Sequence, residues 1–72
     1  MNLTNNMNER FEKKRRWFFA LSRELGFDVK ETRNRGAKKF GLSSFAEVQE
    51  YQLDHLIDLL LVVKRKREYD QV

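Results

Sequence analysis

The segment that most constrains the fold is residues 43–67, S-S-F-A-E-V-Q-E-Y-Q-L-D-H-L-I-D-L-L-L-V-V-K-R-K-R. Ser44 and Glu47 give the S-x-x-E pattern of a capping box at its start. Leu53, Leu56, Ile57, Leu60 and Val63 then recur at intervals of three and four, the spacing of one apolar helix face. Four cations, Lys64, Arg65, Lys66 and Arg67, end the segment, where positive charge complements the negative end of a helix dipole. A long C-terminal helix is therefore expected. The capping box leaves two arrangements open: one continuous helix from Ser44, or a short helical turn over residues 44–48 with Gln49 restarting the chain.

The rest of the chain carries two more helix signals. Phe11, Phe18, Leu21 and Leu25 share a face, widened by Trp17 and Ala20, and Gly26 stands where a left-handed C-terminal cap belongs. Asn6 with Glu9 reads as the cap of this first helix. Asp28 with Glu31 caps a second helix, whose inner face is Val29, Gly36, Ala37 and Phe40 and whose end is Gly41. Gly36 costs about 1 kcal/mol against alanine inside a helix, which points to close approach of a neighbouring helix. The expected fold is an all-α, compact three-helix domain, with or without a short extra turn before the last helix. It spans residues 6–68, between a disordered tail at 1–5 and a frayed end at 69–72.

Size and composition narrow the ways such a chain gains stability. Its 72 residues form one domain with a small core. Cysteine is absent and His55 is the single histidine, so neither a disulfide nor a structural zinc site is expected. There is no proline. Residues 1–9 are polar, without the apolar stretch of a signal peptide. The longest aliphatic run is residues 59–63, far short of the ~20 residues of a membrane span. A cytoplasmic protein is expected, with no membrane partner.

Three blocks give the pattern F-F-A-L-S-R-E-L-G-F, then K-K-F-G-L-S-S-F-A-E-V, then Q-L-D-H-L-I-D-L-L. This resembles a small helical module of phage GemA-like regulators, also found at the C-termini of phage single-strand-annealing and replication proteins. Leu21, Leu25 and Gly26 carry the first block, Phe40, Gly41, Ser44, Phe45 and Val48 the second, and Gln52, Leu56, Ile57 and Leu60 the third. Gln49 departs from the threonine usual before the last helix. The resemblance implies an accessory role in mobile-element DNA transactions and names no site.

Chemistry is sparse. His55 has Asp58 three residues on, but no nucleophile, second base or cofactor loop accompanies it, so no enzyme, no cofactor and no small-molecule substrate are expected. Asp54 and Asp58 are too weak a pair to define a metal site. Charge is more informative: 15 basic against 11 acidic residues give a formal net of +4, which favours anionic partners. The candidate nucleic-acid contacts are Lys30, Arg33, Arg35, Lys38 and Lys39 on helix two, with Asn34 beside them, helped by Lys13 and Arg16 on helix one. The alternative for these cations is a solvated outer face. Residues 13–16 span more than a helical turn and cannot all point one way; Lys14, beside the apolar stripe, should snorkel outward.

A second class of function is equally concrete. Residues 59–63 are apolar around more than a turn, so Leu59 and Val62, which share a face with Tyr51 and His55, either lie inside the fold or meet another chain. Trp17, Phe18 and Phe19 cannot all be buried on one helix face, and Phe18 is the core choice. Phe19, beside Arg15, is either exposed for a partner or a base, or covered by another helix. The candidate interface is Trp17, Phe19, His55, Leu59 and Val62, serving a homodimer or a larger protein partner.

Overall fold

The computed structural model describes residues 3–70, with side chains from residue 9 onward. It contains α1 (Leu3–Glu24), α2 (Val29–Lys39), a single 3-10 turn (Phe45–Glu47) and α3 (Glu50–Asp70). There is no strand among the described residues. The fold is the expected all-α three-helix domain, with the turn separate from the last helix. None of the helices, within the described residues, is long and apolar enough to cross a membrane.

The helix ends explain why the chain breaks where it does. Gly26 and Gly41 both have positive φ, +81° and +70°, which a side chain would resist. Each closes a paired carbonyl cap: Phe27 N–H donates to Ser22 O at 2.8 Å and Gly26 N–H to Arg23 O at 3.0 Å, while Leu42 N–H donates to Ala37 O at 2.9 Å and Gly41 N–H to Lys38 O at 3.0 Å. The Asp28 carboxylate accepts from Glu31 N–H at 3.0 Å and so caps α2. Ser44 Oγ accepts from Ala46 N–H at 3.2 Å and caps only the 3-10 turn. Val48 is extended, with ψ 128°, and separates that turn from α3. The cap of α3 is made instead by Gln52, whose side chain accepts from Gln49 N–H at 2.8 Å, half of a capping box. The start of α1 differs from expectation. The helix already runs at Leu3, which puts Asn6 and Glu9 inside it rather than at its cap. Of the proposed terminal segments, Met1, Asn2, Gln71 and Val72 lie outside the described residues.

The core is built from the expected faces. Phe18 and Leu21 of α1, with Leu25 just past its end, meet Leu53, Leu56, Ile57 and Leu60 of α3, and Val48 joins them; Phe11, Phe40, Leu42 and Phe45 pack around them half-buried. Gly36 is buried because a Cβ there would come within 2.9 Å of Leu56 Cδ1 and 3.7 Å of the Phe45 ring. The close neighbours are thus side chains rather than a helix backbone.

α1 and α3 run parallel, with α2 returning the chain between them, and ion pairs at both ends fix that register. Lys14 Nζ lies 2.7 Å from Glu50 and 2.9 Å from Asp54, Arg10 forks onto Glu50, and Lys64 lies 2.9 Å from Glu24. Arg67 hydrogen-bonds Leu25 O and lies 5.1 Å from the Phe27 ring centroid. The cationic end of α3 therefore caps the carbonyl end of α1 as well as complementing its own dipole. The hydrogen bond from Lys14 holds the Glu50 carboxyl below its ordinary 4.5. Hydrogen bonding to Glu50, then to Asp54, raises Lys14 above 10.5, and bonding to Glu24 raises Lys64 likewise.

Two predictions follow from this packing. Leu53 is fully buried, so Leu53→Ala should cost about 2–5 kcal/mol in urea unfolding, a large share of the stability of so small a domain. A cost below about 1 kcal/mol would contradict the core assignment. The second concerns pH. Stability from the lowered Glu50 is full above 4.5 and lost as pH falls through its folded value. Stability from the raised Lys14 and Lys64 is full below 10.5 and lost as pH rises through theirs. The thermal midpoint should decline outside that window, and Glu50→Gln should make the acid decline shallower.

Candidate nucleic-acid interface

Helix α2 does not present its cations as one face. Lys30, Arg33 and Asn34 line a cleft of about 300 Å³ whose opposite walls are Arg15 of α1 and the segment Ser43, Ser44 and Phe45. Arg35 and Lys39 point to the other flank, where they join Thr32, Gly36, Leu56, Leu59 and Leu60 along the groove between α2 and α3. Arg35 is also bonded to Glu31 at 2.6 Å, an exposed i,i+4 pair. Lys38 is exposed. Of the five α2 cations expected to act together, the fold puts Lys30 and Arg33 on one flank and Arg35 and Lys39 on the other.

What assembles the cleft is the chain reversal after α2. The Gly41 cap turns the backbone, and the 3-10 turn folds Phe45 back onto α1. The Phe45 ring stacks on buried Phe18 with centroids 5.4 Å apart and lies 5.8 Å from Phe19. Two guanidinium groups then lie close to these rings. Arg15 Cζ is 6.0 Å from the Phe19 centroid and 5.9 Å from that of Phe45; Arg33 Cζ is 5.9 Å from Phe19. Cations at such distances from a ring are attracted by its quadrupole. Phe19 is thus half-buried, bordered by Phe45 and by Arg33 of α2, and its ring serves two arginines.

Electrostatically the cleft is one-sided. No carboxylate lines it. Among the described residues no acidic side chain lies within ion-pair distance of Lys30 or Arg33, and Arg15 has only Glu12, at 3.3 Å. Ser43, Ser44 and Asn34 add neutral hydrogen-bonding groups at the rim. Three cations with polar neighbours, of which only Arg15 has a counter-charge, form a surface suited to an anion.

The remaining candidates fall elsewhere. Lys13 and Arg16 are exposed on α1. Lys14 is held by Glu50 and Asp54, so it packs against α3 rather than reaching for a ligand. Trp17 is 48% exposed. It lies two residues before Phe19, about 200° away around α1, and so on the opposite flank. Tyr51, His55, Leu59 and Val62 do form an exposed stripe on α3. The His55 ring lies edge-on to Phe40 at 6.1 Å. Phe19 belongs to the Phe18–Phe45 cluster and not to that stripe. Among the described residues no three His, Cys, Asp or Glu side chains gather as metal ligands.

The sequence puts Arg15 beside Phe19 but signals neither a cleft shared with Ser43 nor the return of Phe45 onto α1. Arg15 was visible as the residue one turn before Phe19, but its role depends on a reversal that no periodicity reports. No family model, no curated protein and no solved structure matches this chain.

The geometry makes Phe45 the support of the cleft. Phe45→Leu should preserve the helices, since bulk is kept, while loosening Arg15. NMR relaxation of the Arg15 Nε–H should show a lower order parameter in the variant. An unchanged value would mean that the ring does not hold the guanidinium.

Proposed function

We propose that this protein is a small, non-enzymatic, cytoplasmic accessory protein that binds nucleic acid through the cleft between α1, α2 and the 3-10 turn. The observation that carries this reading is the convergence of Arg15, Lys30 and Arg33 on one cleft without a carboxylate in its walls. Phosphate contacts of this kind supply sequence-independent affinity through counterion release. Lys13, Arg16 and Lys38, all exposed, extend the positive field beyond the cleft. The resemblance to phage GemA-like regulators and annealing-protein modules adds a setting in mobile-element DNA metabolism. A helix-turn-helix mode is disfavoured, because α2 divides its cations between two flanks and α3 is apolar at its middle.

Affinity for an oligonucleotide should fall steeply with salt, with a log–log slope of about −0.7 per phosphate neutralised on a single strand. Arg33→Glu should weaken binding about tenfold or more, as expected for losing a charge-assisted contact, while Lys39→Glu on the other flank should change it much less. Undetectable binding to DNA and RNA at about 50 mM salt would end this reading.

A second reading rests on a different surface. Tyr51, Leu59 and Val62 are 72%, 40% and 58% exposed along one stripe of α3. Asp58 precedes Val62 by four residues and Lys66 follows it by four. An antiparallel second copy about a two-fold axis at Val62 would place each Asp58 opposite the partner's Lys66, as an isologous dimer requires. Sedimentation at micromolar concentration should then show a dimer, and Val62→Asp should give a monomer of unchanged helicity. A wild-type monomer under those conditions removes the dimer.

A further inference from the structure

We infer that the Arg15–Lys30–Arg33 cleft is built for the terminal phosphate of a single-stranded nucleic acid, a phosphomonoester end rather than an internal phosphodiester. The inference rests on the nucleic-acid reading above and adds which part of the polymer is held.

Charge matching is the first argument. An internal phosphodiester carries one negative charge and two unesterified oxygens. A monoester carries about −1.5 to −2 and has three strong acceptor oxygens. The cleft offers three cations and hydrogen-bonding groups on Asn34, Ser43 and Ser44, all around one volume of about 300 Å³. That is more positive charge than one diester neutralises, and it converges rather than lying in a row. A surface that tracks a backbone needs cations spread along a path. Here the neighbouring α2 cations turn away, Arg35 onto Glu31 and Lys39 toward α3.

Preorganisation is the second argument. Long cationic side chains normally lose rotamer freedom on binding, which reduces affinity. Arg15 and Arg33 are already held within 6.0 Å of the same Phe19 ring, and Arg15 also borders Phe45. The planar fork of a guanidinium suits bidentate contact with phosphate oxygens. These rings are occupied in positioning arginines, and Phe19 and Phe45 are themselves half-buried, so they are poorly placed to stack on bases. Recognition is thereby weighted to the phosphate. Glu12 at 3.3 Å from Arg15 lies on an exposed i,i+3 pair, an interaction weak enough for a dianion to replace.

The test compares labelled single strands of one sequence that differ only in a 5′-phosphate or a 5′-hydroxyl, by fluorescence anisotropy with the full chain. The phosphorylated strand should bind about tenfold tighter, the effect of roughly one charge-assisted hydrogen bond. Lys30→Gln and Arg33→Gln should bring that ratio toward one. Lys13→Gln, outside the cleft, should weaken both strands together and keep the ratio. Lys30 is exposed, and far-UV circular dichroism verifies that both variants keep their helices. Equal affinity for the two strands overturns the terminal-phosphate inference while nucleic-acid binding stands. Failure to bind either strand overturns both. Preference for a phosphoserine peptide, without discrimination between the strands, also overturns the inference.

Discussion

The stacking of Phe45 on Phe18 joins the core to the surface in this protein. Phe18 is among the most deeply buried side chains and sits between α1 and α3. The Phe45 ring, 5.4 Å away, is what draws the chain after α2 back onto α1. Gly36 leaves room for this arrangement, since the Phe45 ring and Leu56 occupy the space a Cβ would take. The outer side of the same ring borders the Arg15 guanidinium. One aromatic contact thus closes the hydrophobic core and positions a cation on the surface above it. The charge pattern of the molecule cannot be separated from its packing.

The parallel pairing of α1 and α3 is the frame on which that contact depends. Its apolar seam carries most of the burial, and exposed ion pairs of this kind add little individually. Their value is directional. Lys14 bridging Glu50 and Asp54 at one end, and Lys64 on Glu24 with Arg67 on Leu25 O at the other, suit only one sliding register. A slip of one turn would unpair both ends at once. Two glycine caps and the Asp28 cap then make the breaks between helices sharp, which keeps α2 short and its first turns beside the cleft.

Local signals were legible in the sequence, and long-range ones were not. Gly26, Gly41 and Asp28 could be read because caps are set by residues within a few positions of each other. The buried set Phe18, Leu21, Leu25, Leu53, Leu56, Ile57 and Leu60 followed from helical period alone. The Asn6 cap failed because a capping pattern does not fix where a helix begins when the residues before it can also be helical. Helix two looked like a single cationic surface because composition does not reveal how it divides between two neighbours. Arg33 and Arg35 are two positions apart, so they fall on different flanks. The importance of Arg15 depended on Phe45 returning across about 30 residues, a contact that no window of the sequence contains. Trp17 and the Tyr51–Val62 stripe stayed exposed, as one of the two open readings allowed.

The most direct measurement of the functional claim is a residue-resolved NMR titration of the isotope-labelled protein with a single-stranded oligonucleotide at low salt. The cleft account predicts the largest amide and side-chain shifts at Arg15, Lys30, Arg33, Ser43 and Ser44, with the helix cores unmoved. Shifts centred on Tyr51, Leu59 and Val62, or none at saturating strand, would contradict it.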